Sequence, residues 1–262
     1  MGLPGVFCAK KKDGTLYYRS SITHKGKHIS LGSFNQETEA SAAYQSAHMI
    51  LTSSFSISDI KQSDTQLSFE KIISLINFRD NGIYIKNPIY LHKRYFLYYL
   101  NELTPIKFDI EDLFYYSTHK IQKRGGYLFV ADYGMQTNIL NRYGIKNYAV
   151  LDKDYRHRNG DDFDFTYNNI EVINGYYGVS SITKDGTTSF RTQIHLNGNY
   201  LVGTYDTEID AAIAYNKAVD IVKKRGCTRS FQTNYILSLS ASQYAKHYHQ
   251  LAVSEKLLKL TF

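Results

Sequence analysis

Two stretches of the chain alternate apolar and polar side chains, and each precedes a helix-length stretch whose apolar residues recur every three to four positions. In the later stretch Phe190, Thr192, Ile194 and Leu196 alternate with Ser189, Arg191, Gln193 and His195. That is the period of a strand with one greasy and one polar face. The earlier stretch repeats it more weakly, with Tyr18, Ser20 and Ile22 set against Tyr17, Arg19, Ser21 and Thr23. Behind each lies an apolar stripe at i, i+3, i+4, i+7 spacing. Ala40, Ala43, Tyr44, Ala47, Ile50 and Leu51 align without a gap on Ala211, Ala214, Tyr215, Ala218, Ile221 and Val222. The turn residues align too: Gly5-Val6, Asp13-Gly14 and Gly32-Ser33-Phe34 match Gly178-Val179, Asp185-Gly186 and Gly203-Thr204-Tyr205. The pattern predicts a duplicated unit, a small antiparallel sheet with a helix on its apolar face. The other face would be polar, open to solvent and centred on an arginine.

Between the copies, Thr52–Ser63 is serine-rich and weakly patterned, as a connector is. Phe69–Phe78 has helical spacing, and Asp80-Asn81-Gly82 signals a turn. Ile89–Leu103 is strongly aromatic. A chain without tryptophan fills its core with Tyr and Phe, and Phe114-Tyr115-Tyr116 reads the same way; a stacking platform beside Lys93 and Arg94 is the alternative. The basic run His119–Gly126 leads into a predicted strand, Tyr127–Ala131. Its glycines suit close approach to phosphate and a solvated turn alike. Met135–Tyr143 reads as a short helix stopped by Gly144, and Tyr148–Leu151 as a strand. Ser240-Ala241-Ser242-Gln243 is a capping box opening a helix through about Leu258, with Tyr244, Tyr248, Leu251 and Leu258 packing on the body.

The expected fold class is α+β and modular: two small three-stranded antiparallel sheets, each packed on one helix, joined by a mixed α/β middle domain. The expected boundaries are 1–54, 55–176, 177–229 and a C-terminal helix at 230–262.

A net charge of +7 favours an anionic partner. The excess is uneven: residues 1–50 carry six Lys/Arg against three Asp/Glu, whereas 51–169 carry fifteen against fourteen. The first copy is therefore the more basic. No run approaches the roughly 18 apolar residues of a membrane span. There is no signal-peptide pattern, and Val6 stands where a myristoylation motif needs Ser or Thr. A cytoplasmic protein without a membrane partner is expected. Cys8 and Cys227 lack a Cys-x-x-Cys spacing and are read as reduced, buried thiols.

Gly-Val, the polar strand, Gly32-Ser33-Phe34 or Gly203-Thr204-Tyr205, and the helix openings Glu37–Tyr44 and Glu208–Tyr215 resemble the Apetala/ethylene-response-factor DNA-binding domain. The resemblance covers about a third of the chain and implies a three-stranded sheet laid in the major groove. Carried over by position, the DNA-facing residues are Tyr17, Arg19, Ser21 and His28 in one copy, and Ser189, Arg191, Gln193 and His195 in the other. Lys10, Lys11 and Lys12 stand in for that family's first-strand arginines, and the second copy has Lys184.

Directly before the second copy, His157–Val172 is similar to the core of His-Asn-His nucleases, of which many homing types carry an Apetala-like domain behind the motif. The resemblance implies a ββα element. His157 would be the base and Asn169 the Asn that holds the loop, with Mg²⁺ or Mn²⁺ as cofactor. Arg156 occupies the place of a metal ligand, and a guanidinium cannot coordinate a cation. The element is thus degenerate, no metal site or cofactor is expected, and Arg156 and Arg158 suit phosphate instead. The aspartates from Asp152 to Asp164 lack a calcium-loop spacing and read as turn residues.

The expected function is sequence-specific binding of double-stranded DNA, transcription-factor-like or mobile-element-derived. A metal-dependent endonuclease using His157 is the alternative, and a protein-interaction module a weaker one.

Overall fold

The computed structural model describes residues 2–59, 65–102 and 104–262. Met1, the end of the expected connector (60–63) and Leu103 of the aromatic stretch lie outside the described residues. The architecture is α+β, with several small three-stranded antiparallel sheets and a few helices. No helix among the described residues is long and apolar enough to cross a membrane.

The first copy folds as β1 (Val6–Lys10), β2 (Leu16–His24), β3 (Lys27–Phe34) and α1 (Glu37–Thr52), with sheet order β1-β2-β3. Lys25-Gly26, both at positive φ, join β2 to β3 as a two-residue hairpin. The sheet's inner face (Ile22, Ile29, Leu31) meets Ala43, Ala47, Ile50 and Leu51 of α1 in one core. That core continues into Leu67 and into α2 (Phe69–Asn81) through Ile72, Leu75, Ile76 and Phe78, so α1 is buried from two sides. Gly82, in the left-handed region, ends α2 where the turn was expected.

Next come β4 (Ile89–Leu91), β5 (Tyr95–Tyr99) and β6 (Pro105–Asp109) in one sheet, then α3 (Leu113–Thr118). Phe96, Tyr98, Phe108 and Tyr116 are fully buried, the expected core use of aromatics. Phe114 departs from it: the helix turns this ring outward, 86% exposed. A further sheet follows, β7 (Ile121–Arg124), β8 (Tyr127–Asp132) and β9 (Met135–Asn138). The helix expected over Met135–Tyr143 is therefore half strand, because Met135–Asn138 pairs with β8, and half 3-10 turn over Ile139–Tyr143. Tyr148–Leu151 is no strand. Tyr148 has φ 60°, and only Leu151 makes an isolated bridge, to Tyr155.

β10 (Tyr155–His157) and β11 (Ile170–Val172) form a two-stranded hairpin. The second copy then gives β12 (Val179–Lys184), β13 (Thr187–His195), β14 (Asn199–Tyr205) and α4 (Glu208–Lys224), in order β12-β13-β14. Ile194, Leu196 and Val202 meet Ala214, Tyr215, Ala218, Val219 and Val222. α5 (Ala241–Gln250) opens on the expected Ser240 capping box. It packs on α4: Tyr248 Oη donates to Asp220 at 2.8 Å, and Asn216 Nδ2 to Tyr244 Oη at 2.9 Å. The helix stops at Gln250 rather than Leu258. Lys217 Nζ donates to the carbonyls of Tyr248 and Leu251, and Ser254 N–H donates to Val202 O at 2.7 Å, which draws residues 251–254 along the edge of β14. α6 (Glu255–Leu258) then buries Leu257 and exposes Leu258, the reverse of the expected stripe.

The chain makes two compact units, Met1–Asn138 with Asp161–Asn169, and Ile139–Gly160 with Ile170–Phe262. Residues 55–176 are shared between these units, and 230–262 is built into the core of the second.

The copies agree down to one close contact. Gly5 and Gly178 have φ +68° and +71°, and a Cβ on either would stand 2.1 or 2.2 Å from the ring of Tyr44 or Tyr215. Each glycine carbonyl accepts from the central strand, Gly5 from Ser21 N–H at 2.9 Å and Gly178 from Gln193 N–H at 2.8 Å. Left-handed backbone on a non-glycine residue costs about 1–2 kcal/mol, and overpacking about 1–3 more. Gly178→Ala is therefore expected to lower stability by at least about 2 kcal/mol, read as a lower urea midpoint at unchanged slope.

Candidate nucleic-acid interface

Strand parity decides which side chains share the open face of each sheet. In the second copy Ser189 is half-buried, Arg191 exposed, Gln193 half-buried and His195 exposed, while Thr192, Ile194 and Leu196 are buried beneath. Lys184, opposite Thr187, falls on the same open face as Arg191. His195 Nδ1 lies 2.8 Å from Asn199 Oδ1, which ties it into its hairpin.

In the first copy Arg19 is exposed and anchored. Its Nε and Nη2 donate to Tyr17 Oη at 3.1 and 2.5 Å, and the guanidinium lies 5.3 Å from the Tyr17 ring centre. His28 is exposed across from Thr23, with its Nδ1 3.5 Å from Thr23 Oγ1. Ser21 corrects the expectation: it is only 9% exposed, because Gly5 holds its N–H on one side and Ser30 of β3 lies across from it on the other. Lys10 is exposed, but it pairs with Leu16 and so belongs to the face opposite Arg19. Lys11 and Lys12 are exposed in the loop joining β1 to β2. The second copy has only Asp185-Gly186 there, so the basic loop belongs to one copy alone. Cys8 is exposed on edge strand β1 rather than buried, and Cys227 is half-buried; both are free.

The two central arginines occupy one register. Arg19 lies across from Phe7 and Ser33, and Arg191 across from Ser180 and Thr204. Each copy carries a register shift one residue beyond that arginine, between Ser20 and Ser21 and between Thr192 and Gln193. Sequence reading missed Phe7, which is 59% exposed on the arginine face. Counting parity back along β1 from Arg19 would have found it.

The nuclease-like segment departs from the expected ββα. The hairpin β10–β11 is present, but the chain runs from Val172 through a short irregular stretch into β12, and no helix follows before α4. His157 is buried at 7% exposure in the second unit, its ring 5.9 Å from that of Tyr155. Asn169 belongs to the first unit, where its Nδ2 donates to Asp164 O at 2.7 Å. Arg156 and Arg158 are both exposed and face one carboxylate. Arg156 Nε lies 2.9 Å and Arg158 Nε 3.7 Å from Glu171 Oε2 across the hairpin. The Arg156 hydrogen bond holds the Glu171 carboxyl below its usual range. Among the described residues no three His, Cys, Asp or Glu side chains cluster as a metal site.

Asp164 anchors the loop to the sheet of the first unit. Phe163 O and Phe165 N–H bond the backbone of Lys107, and Lys107 Nζ donates to Asp164 Oδ2 at 2.8 Å. Burial pushes the Asp164 carboxyl up, but Lys107 and Thr166 outweigh it and leave it below the ordinary value.

No family model, curated protein or solved structure matches the chain.

A carboxyl depressed in the folded state contributes stability that is present above its unfolded value and lost as pH falls through the folded one. Asp164→Asn is thus expected to destabilise the protein by about 1–3 kcal/mol at neutral pH. The gap from wild type should begin to narrow as pH falls below ~4 and go on narrowing through the lower folded-state value. Thermal unfolding at pH 7 and pH 3 measures it.

Proposed function

We propose that this protein binds double-stranded DNA with sequence preference, presenting the open faces of two three-stranded sheets to major grooves. The observation that carries the reading is the duplicated register, which sets one exposed arginine at the same place on each uncovered face. Three strands about 4.8 Å apart make a backbone ribbon roughly 10 Å wide. The major groove is about 12 Å wide, so such a ribbon fits. An arginine there can donate two N–H groups of one guanidinium edge to guanine O6 and N7, a contact giving about 1–3 kcal/mol of discrimination. Tyr17 holds the Arg19 guanidinium by its Nε–Nη2 edge, which lowers the entropy lost on binding. The net charge of +7 and the basic loop of the first copy supply sequence-independent attraction to phosphate. Arg156 and Arg158, exposed around the single Glu171 carboxylate, keep a net positive charge and add to it. His157 has no catalytic part in this reading.

Selection from a random duplex pool with the full chain supplies the preferred site. On that site Arg191→Ala is expected to weaken binding about 5- to 150-fold, and on scrambled duplex less than about threefold. Equal losses on both would make Arg191 a phosphate contact and sink the claim of base reading. Replacing Lys11 and Lys12 by alanine should weaken every duplex alike and make the slope of log affinity against log salt shallower by about 1.8. An unchanged slope would place that loop off the DNA.

A further inference from the structure

Resting on that DNA-binding reading, we infer that Phe7 makes the first sheet a reader of thymine beside guanine, a preference the second sheet lacks. Phe7 is 59% exposed although this chain buries Phe96, Phe108 and Tyr116 completely, so its exposure is not forced by want of a core. Register places it directly across from Arg19, and the two side chains leave the same face. Directly opposed residues stand about 4.5–5.5 Å apart, and base pairs stack about 3.4 Å apart, so the two side chains reach neighbouring pairs. Of the four bases only thymine offers a methyl group in the major groove, and an aromatic ring contacts it without a hydrogen bond. Arg19 beside it is fixed by Tyr17 and takes the guanine. The second sheet has Ser180 across from Arg191, with no apolar ring at that place. The occupant of this face is duplex DNA rather than an apolar protein surface, because the ring shares its face with a guanidinium and its strand leads into the loop carrying Lys11 and Lys12.

The test uses the full chain and the duplex selected by it, with each thymine replaced in turn by uracil, which removes only the C5 methyl. At one position next to a guanine, wild type should bind about fourfold more weakly, the change expected for one methyl's burial. Phe7→Ser should bind the thymine and uracil duplexes equally, and melt like wild type because the ring is mostly exposed. Ser180→Phe should gain a second uracil-sensitive position. If wild type still separates selected from scrambled duplex but ignores every uracil, or Phe7→Ser keeps the full sensitivity, this inference fails and DNA binding stands. If no duplex is retained at low salt, both fail.

Discussion

A tyrosine ring lying on a glycine that has no Cβ to obstruct it sets the geometry of both duplicated units. Tyr44 over Gly5 and Tyr215 over Gly178 bring α1 and α4 against their sheets near the first strand, while the alanines let the rest of each helix follow at short range. The glycine carbonyl meanwhile locks to the middle strand. With the helix fixed so close, most of one face of each sheet goes to the core. The opposite face is left open, with an arginine at its centre.

The same closeness explains the outer layers. A helix rich in alanine offers little apolar area of its own, so each is covered a second time: α1 by α2, and α4 by α5 and α6. The covers differ in sequence and in position along the chain. What the copies share is the demand of a slender helix for apolar surface on both sides. In the second unit the cover also runs along β14, where Tyr205 Oη donates to Ala252 O at 2.8 Å. Ser254 N–H donating to Val202 O pairs part of that edge strand's backbone.

The duplication has been kept in the framework and altered on the reading faces. Strand order, register shift and helix contact coincide, but Tyr17, Phe7 and the lysine loop of one copy are Ser189, Ser180 and a two-residue turn in the other. Framework positions are held by packing that tolerates little change, whereas the open faces are constrained only by what they touch.

The sequence by itself determined whatever depends on local backbone parity. The strand alternation placed Arg19 and Arg191 on open faces, helical spacing picked out the buried alanines, and glycine signals located the hairpins. It also located the start of α5, because a capping box is closed within four residues. Only the tertiary structure decided matters that rest on distant partners. Glu171 pairs with Arg156 from across a hairpin. Gly5 and Ser30 close around Ser21, β8 draws Met135–Asn138 into a sheet, and β14 pulls residues 251–254 out of a helix. In each case a local pattern compatible with one conformation was overruled by a hydrogen-bond or ion-pair partner that no short window of sequence contains.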